Sequence, residues 1–186
     1  MPIRVLRQIS FAAIVAVLGM PLLAEPAGSY LAARSAAVTG DYDAAARYYT
    51  QALTRDPANP EILENASFAL LALGDIERAS VVASQLLSNG QNSQVAQMAM
   101  LAKRAGQENY ADVLARILED QGVGPLVDGL LKSWAQVGIG EVTAALDDFE
   151  KVGEERGLQG FALYHKALAL AMVGDFEGAD AIFAKP

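Results

Sequence analysis

An all-α fold, an α-solenoid of about five helix-turn-helix units with the last one incomplete, is what this sequence predicts on three observations. Gly40, Gly74, Gly140 and Gly174 lie 34, 66 and 34 residues apart, and Gly106 divides the long gap into 32 and 34. A period near 34 residues is too short for a domain and suits one helical hairpin, which stacks on its neighbours to bury its apolar face. The register extends beyond the glycines. Five residues after each stand Ala45, Ala79, Ala111, Ala145 and Ala179, and nine after it Tyr49, Ala83, Ala115, Phe149 and Phe183. Composition points the same way: 53% of the residues are hydrophobic but only 7% aromatic, and Ala-Leu runs such as 68–73 favour helix over strand.

In units one, two and five, Gly followed by Asp at 40–41, 74–75 and 174–175 reads as a helix stop and then a start. Gly adopts the left-handed conformation past a helix end without a Cβ clash, and the Asp carboxylate accepts hydrogen bonds from the free N–H groups that open the next helix. The Ala five residues on falls in the first turns of that helix, where a small side chain lets the two helices approach.

Unit one is expected over 26–37 and 43–55, and the sequence at 56–60 breaks it. Pro60 begins the next helix, since the first turn does not need its missing N–H. Unit two follows over 61–73 and 76–88 and is closed by a polar loop at 88–93. Unit three covers about 94–120 with a turn at 105–109, and 121–125 is the strongest interior break. Unit four runs over 126–152, a charged connector over 153–160, and unit five from Phe161 until it is cut short after Phe183. A terminal repeat normally carries a polar capping helix. The repeat domain, 25–186, is therefore expected to continue beyond this chain or to have its end covered by a partner.

These residues resemble the tetratricopeptide repeat family. The resemblance rests on Gly40, Tyr42, Ala45, Tyr49, Ala52 and Pro57 in unit one, Gly74, Ile76, Ala79 and Leu86 in unit two, Gly140, Val142, Ala145 and Phe149 in unit four with Trp134 and Gly138 before them, and Gly174, Phe176, Ala179 and Phe183 in unit five. It covers about residues 26–186. It implies a right-handed superhelix whose inner groove is lined by the first helix of each unit. Carrying the register across gives Tyr30, Arg34, Asn65, Phe68, Gln97, Met100, Leu130, Trp134, Tyr164 and His165 as candidate partner-binding residues.

Residues 1–24 have Arg4 and Arg7, an apolar run from Ile9 to Leu18, and then Gly19 and Pro21 before Ala24. This is the layout of a secretory signal peptide. An uncleaved N-terminal membrane anchor is the competing reading, although the run is short for a span of about 20 residues. In either case the basic start keeps the N-terminus inside and sends the repeats outward, so an exported, periplasmic location is expected.

Net charge is −8, and loss of Arg4 and Arg7 with the leader takes it to −10, which argues against nucleic acid as a partner because phosphate binding needs a concentrated basic surface. The chain has no Cys and one His, which excludes disulfides and thiolate chemistry. Asp147, Asp148 and Glu150 read as a solvated helix face. No phosphate loop, nucleophile elbow or zinc helix motif occurs, so neither catalysis nor a cofactor is expected. The expected role is a non-enzymatic scaffold of the bacterial cell envelope that binds a protein or peptide in the groove. The alternatives are a spacer or assembly arm of a larger envelope or secretion protein, a substrate-presenting region of an enzyme whose catalytic domain lies elsewhere, and a groove for a small molecule or glycan.

Overall fold

The computed structural model describes residues 25–184, so the predicted leader at 1–24 lies outside the described residues. Ten α-helices and no strand occupy that span: α1 (Glu25–Val38), α2 (Tyr42–Leu53), α3 (Pro60–Ala72), α4 (Ile76–Ser88), α5 (Gln94–Gly106), α6 (Tyr110–Leu118), α7 (Pro125–Gly138), α8 (Val142–Glu154), α9 (Gln159–Met172) and α10 (Phe176–Phe183). Each helix packs on the next in order, so contacts are between neighbouring units, as in a solenoid.

The turn inside each unit is built from one repeated hydrogen bond. The N–H of Asp41 donates to Ala36 O at 2.9 Å, that of Asp75 to Leu70 O at 2.9 Å, that of Glu141 to Gln136 O at 2.8 Å and that of Asp175 to Leu170 O at 2.9 Å. This bond spans the left-handed residue that ends the first helix. Gly40, Gly74, Gly140 and Gly174 occupy that position with φ of 77°, 73°, 87° and 90°. The following Asp41, Asp75 and Asp175 then accept from the N–H of Ala44, Arg78 and Gly178 at 3.0, 3.1 and 2.8 Å.

Unit three departs from the expected register. The same bond there runs from Asn109 N–H to Arg104 O at 2.9 Å, and the left-handed residue is Glu108, with φ 56°. Gly106 is the last residue of α5. The unbroken 34-residue step is thus 74 to 108, and the 32-residue step falls between 108 and 140. Burial follows the corrected register: Val113, five residues after Glu108, is fully buried, whereas Ala111 and Ala115 are exposed. Gly106→Ala is therefore expected to leave stability unchanged or raise it by up to about 1 kcal/mol, and Gly140→Ala to lower it by about 1 kcal/mol, read as urea midpoints.

Ala45, Ala79 and Ala145 are fully buried where the second helix meets the first, and Tyr49, Ala83 and Phe149 one turn on are buried as well. The largest cluster joins α1 to α5 around Tyr49, Leu63, Leu70 and Leu86. A smaller one centres on Leu101, Val113 and Ala135. At the predicted break the Asp128 carboxylate accepts from the N–H of Val123 at 2.7 Å and of Gly124 at 3.0 Å, which ties the loop to the first turn of α7.

Candidate protein-binding groove

First helices of adjacent units meet directly, α3 with α5 and α7 with α9, which makes them the inner layer. Their free faces form the groove wall. At its N-terminal end the wall is polar. Arg34 Nη1 donates to Tyr30 Oη at 3.2 Å and to Glu61 Oε1 at 3.4 Å, and Tyr30 Oη donates to the same Glu61 carboxylate. The Tyr30 ring also packs edge-on against buried Tyr49, centroids 6.4 Å apart. Asn65 is turned back on its own helix, donating to Glu61 O at 2.8 Å. Phe68 is half exposed and meets Tyr42 edge-on at 5.9 Å.

Gln97 and Met100 are not on this wall. Gln97 is buried and accepts from Arg116 Nη2 of α6 at 2.6 Å, and Met100 lines an outer hollow with Ser80 and Ser84 of α4 and Asp112 of α6. The cause is the register of unit three. A slip of two residues rotates a helix position by about 200°, to the opposite face. Met98, exposed, takes the inner position that sequence reasoning assigned to its neighbours.

The C-terminal end is aromatic. Trp134 of α7 donates Nε1–H to His165 Nδ1 of α9 at 3.0 Å. Phe149 of α8 lies beneath both, edge-on to Trp134 at 5.7 Å and stacked on His165 at 6.4 Å. The Tyr164 ring meets His165 edge-on at 5.5 Å. Trp134 and His165 thus join units four and five, while Tyr164 stands out from the wall. Leu130 is half buried. Phe161, Leu168 and Met172 of α9 are exposed in line with Tyr164. Sequence reasoning missed these three, although a strict count of helical turns from Tyr164 would have found them.

Burial holds the His165 imidazole below its ordinary value of 6.5. Its Nδ1 accepts the Trp134 hydrogen, so a proton there would set two donors face to face. The unfolded chain binds that proton at higher pH than the native one, so stability is full above about 6.5 and is lost as pH falls through that value towards the native pKa. His165→Gln keeps an acceptor that does not titrate. The urea midpoint of wild type, followed by the fluorescence of Trp134, is expected to drop between pH 7.5 and 5.5 by more than that of the variant.

The acidic face of α8 is not wholly solvated. Asp148 is buried and holds Lys132 Nζ at 2.7 Å and Lys151 Nζ at 2.7 Å. Burial pushes its carboxyl up, but the two ammonium groups outweigh that and keep it below the usual carboxylate range. Glu150 pairs with Lys166 of α9. Among the described residues no three His, Cys, Asp or Glu side chains stand together as metal ligands.

A stack of helical hairpins whose first helices form one layer defines the class of fold: an α-solenoid of helix-turn-helix repeats. Residues 39–104 match the tetratricopeptide repeat family model. Among solved structures it is similar to MamA, residues 41 to the end, from Desulfovibrio magneticus RS-1, with a TM-score of 0.70 and 19% identity over 87% of this chain and 92% of that one. It is also similar to MamA of strain MSR-1, with a TM-score of 0.65 and 15% identity over 86% of this chain and 93% of that one. At these identities the likeness is one of fold. No curated protein sequence matches.

Proposed function

We propose that this chain is an exported, non-enzymatic scaffold of the bacterial cell envelope, which holds a peptide or protein partner in its inner groove by shape and apolar complementarity. One observation carries the reading: large side chains that a monomer has no reason to expose, Phe68, Met98, Phe161 and Tyr164, stand on first helices, where a docked chain would remove them from water. The basic and then apolar layout of residues 1–24 supports export.

Phe68 and Tyr164 suit a test because both are about half exposed, whereas truncating Trp134 would also sever units four and five. The full chain, used as bait in envelope extract, is expected to enrich a defined partner, and Phe68→Ala/Tyr164→Ala to lose it while circular dichroism stays unchanged. Equal capture by both proteins would exclude the groove and leave a spacer or assembly arm as the better account.

A further inference from the structure

The second helices α4 and α6 flank an open hollow of about 610 Å³ on the outer side of unit three, away from the groove wall. Gln97 and Met100 of α5 form its floor, and through Ser84 and Met100 it runs into the smaller hollow of about 410 Å³ that holds Lys103 and Arg104. α6 has nine residues where α4 and α8 have 13 each. It stops about one turn short, and Asp120 and Gln121 line the end that this leaves open.

One side chain here is poorly matched to its surroundings. Arg116 of α6 is half-buried, and its Nη2 donates to Oε1 of buried Gln97 at 2.6 Å. Its Nε–H is shut away from water without an acceptor, and the guanidinium forms no ion pair among the described residues. Burial, and after it the charge of Arg104, pushes its pKa down against the opposing effects of Glu119 and Asp112. The cations next to it are already taken, Lys103 by Glu77 at 3.0 Å and Arg104 by Asp112 at 3.3 Å. Asp120 stands exposed at the rim and is not among the charges that reach Arg116. A cation drawn out of water without a counter-charge is costly, and an anion in the hollow would offset that cost.

We propose that this hollow binds a sugar acid, with its carboxylate on Arg116 and its hydroxyls on the polar side chains around it. A single unpaired cation matches one carboxylate. A phosphate dianion calls for a second cation, and Lys103 and Arg104 are both occupied. The rest of the lining is largely neutral and polar. Ser84, Gln91 and Asn92 hold no side-chain hydrogen bond among the described residues, and with Asp120 they offer the mixture of donors and acceptors that hydroxyl groups need. Met100 and Leu87 supply an apolar surface for a sugar face. A hydrocarbon ligand would instead leave those polar groups desolvated and unpaired. The site is separate from the inner groove and does not depend on what the groove holds.

The test titrates glucuronate, glucose and glucose-6-phosphate into the full chain and follows, by NMR, the backbone amides of Ser84, Gly90 and Met100 and the Arg116 Nε–H. Glucuronate is expected to bind at least about tenfold more tightly than glucose, the difference that a charge-assisted hydrogen bond makes, and more tightly than glucose-6-phosphate. Arg116→Gln is expected to remove the preference for glucuronate. Arg156→Gln, an equal change in charge at an exposed position outside the hollow, is expected to leave it intact, with circular dichroism checking both folds. Asn92→Asp, also at an exposed position, tests the site without touching Arg116 and is expected to weaken glucuronate at least about threefold by repulsion. Glucose binding as tightly as glucuronate, binding by neither, or equal losses in the two Arg variants would overturn the site. Tighter binding of glucose-6-phosphate would overturn the carboxylate assignment. The capture experiment reads the inner groove alone, so its result is independent of these.

Discussion

Phe149→Ala is expected to lower stability by about 3–5 kcal/mol, because it removes a fully buried ring from the joint between two units. Phe149 is the surface on which Trp134 of α7 and His165 of α9 both rest. Its loss leaves a cavity that neither neighbour fills without breaking the hydrogen bond between them. In a solenoid each joint is nearly a separate term, so the damage should be local: units four and five come apart before units one and two, which rest with α5 on another cluster. Urea unfolding is expected to turn biphasic, an early phase followed by Trp134 fluorescence and a later one by helix content. One unchanged transition by both probes would show that Phe149 does not join the units.

Ala45→Leu is the second large effect, an expected loss of about 1–3 kcal/mol from overpacking. Ala33 of α1 and Ala45 of α2 are both fully buried in one cluster, so added methylenes must push the two helices apart. Ala111→Leu provides the contrast. Ala111 stands five residues after a glycine just as Ala45 does, yet it is exposed, and its replacement should change the melting temperature little. Equal losses in the two variants would restore Gly106 as the turn of unit three, against the hydrogen bond that Asn109 makes.

Much of the fold was legible because it is local. Pro60 opening α3, Asp41, Asp75 and Asp175 at helix starts, and glycines at left-handed turns are each decided by a few adjacent residues, and predicted helix ends in units one and two fall within two residues of the observed ones. The candidate groove was legible where the repeat register was right. Tyr30, Phe68, Trp134 and Tyr164 stand on first helices as expected. Gln97 and Met100 do not reach the inner wall, because their phase was counted from Gly106, and Asp148 is buried because Lys132 on another helix reaches it.

By itself the sequence determined that this chain is helical, that its helices pair as hairpins of about 34 residues, and where most of them begin and end. Those properties follow from backbone preferences and capping bonds within one turn of chain. Only the tertiary structure decided which of two residues, Gly106 or Glu108, turns unit three. A glycine at a helix end and one at a left-handed turn are the same letter, and the packing of Val113 under neighbouring helices separates them. It also decided that Trp134 and His165 hold two units together while Phe161, Tyr164, Leu168 and Met172 remain exposed. Each helix has several apolar faces, and only the neighbours it meets determine which of them is left facing water.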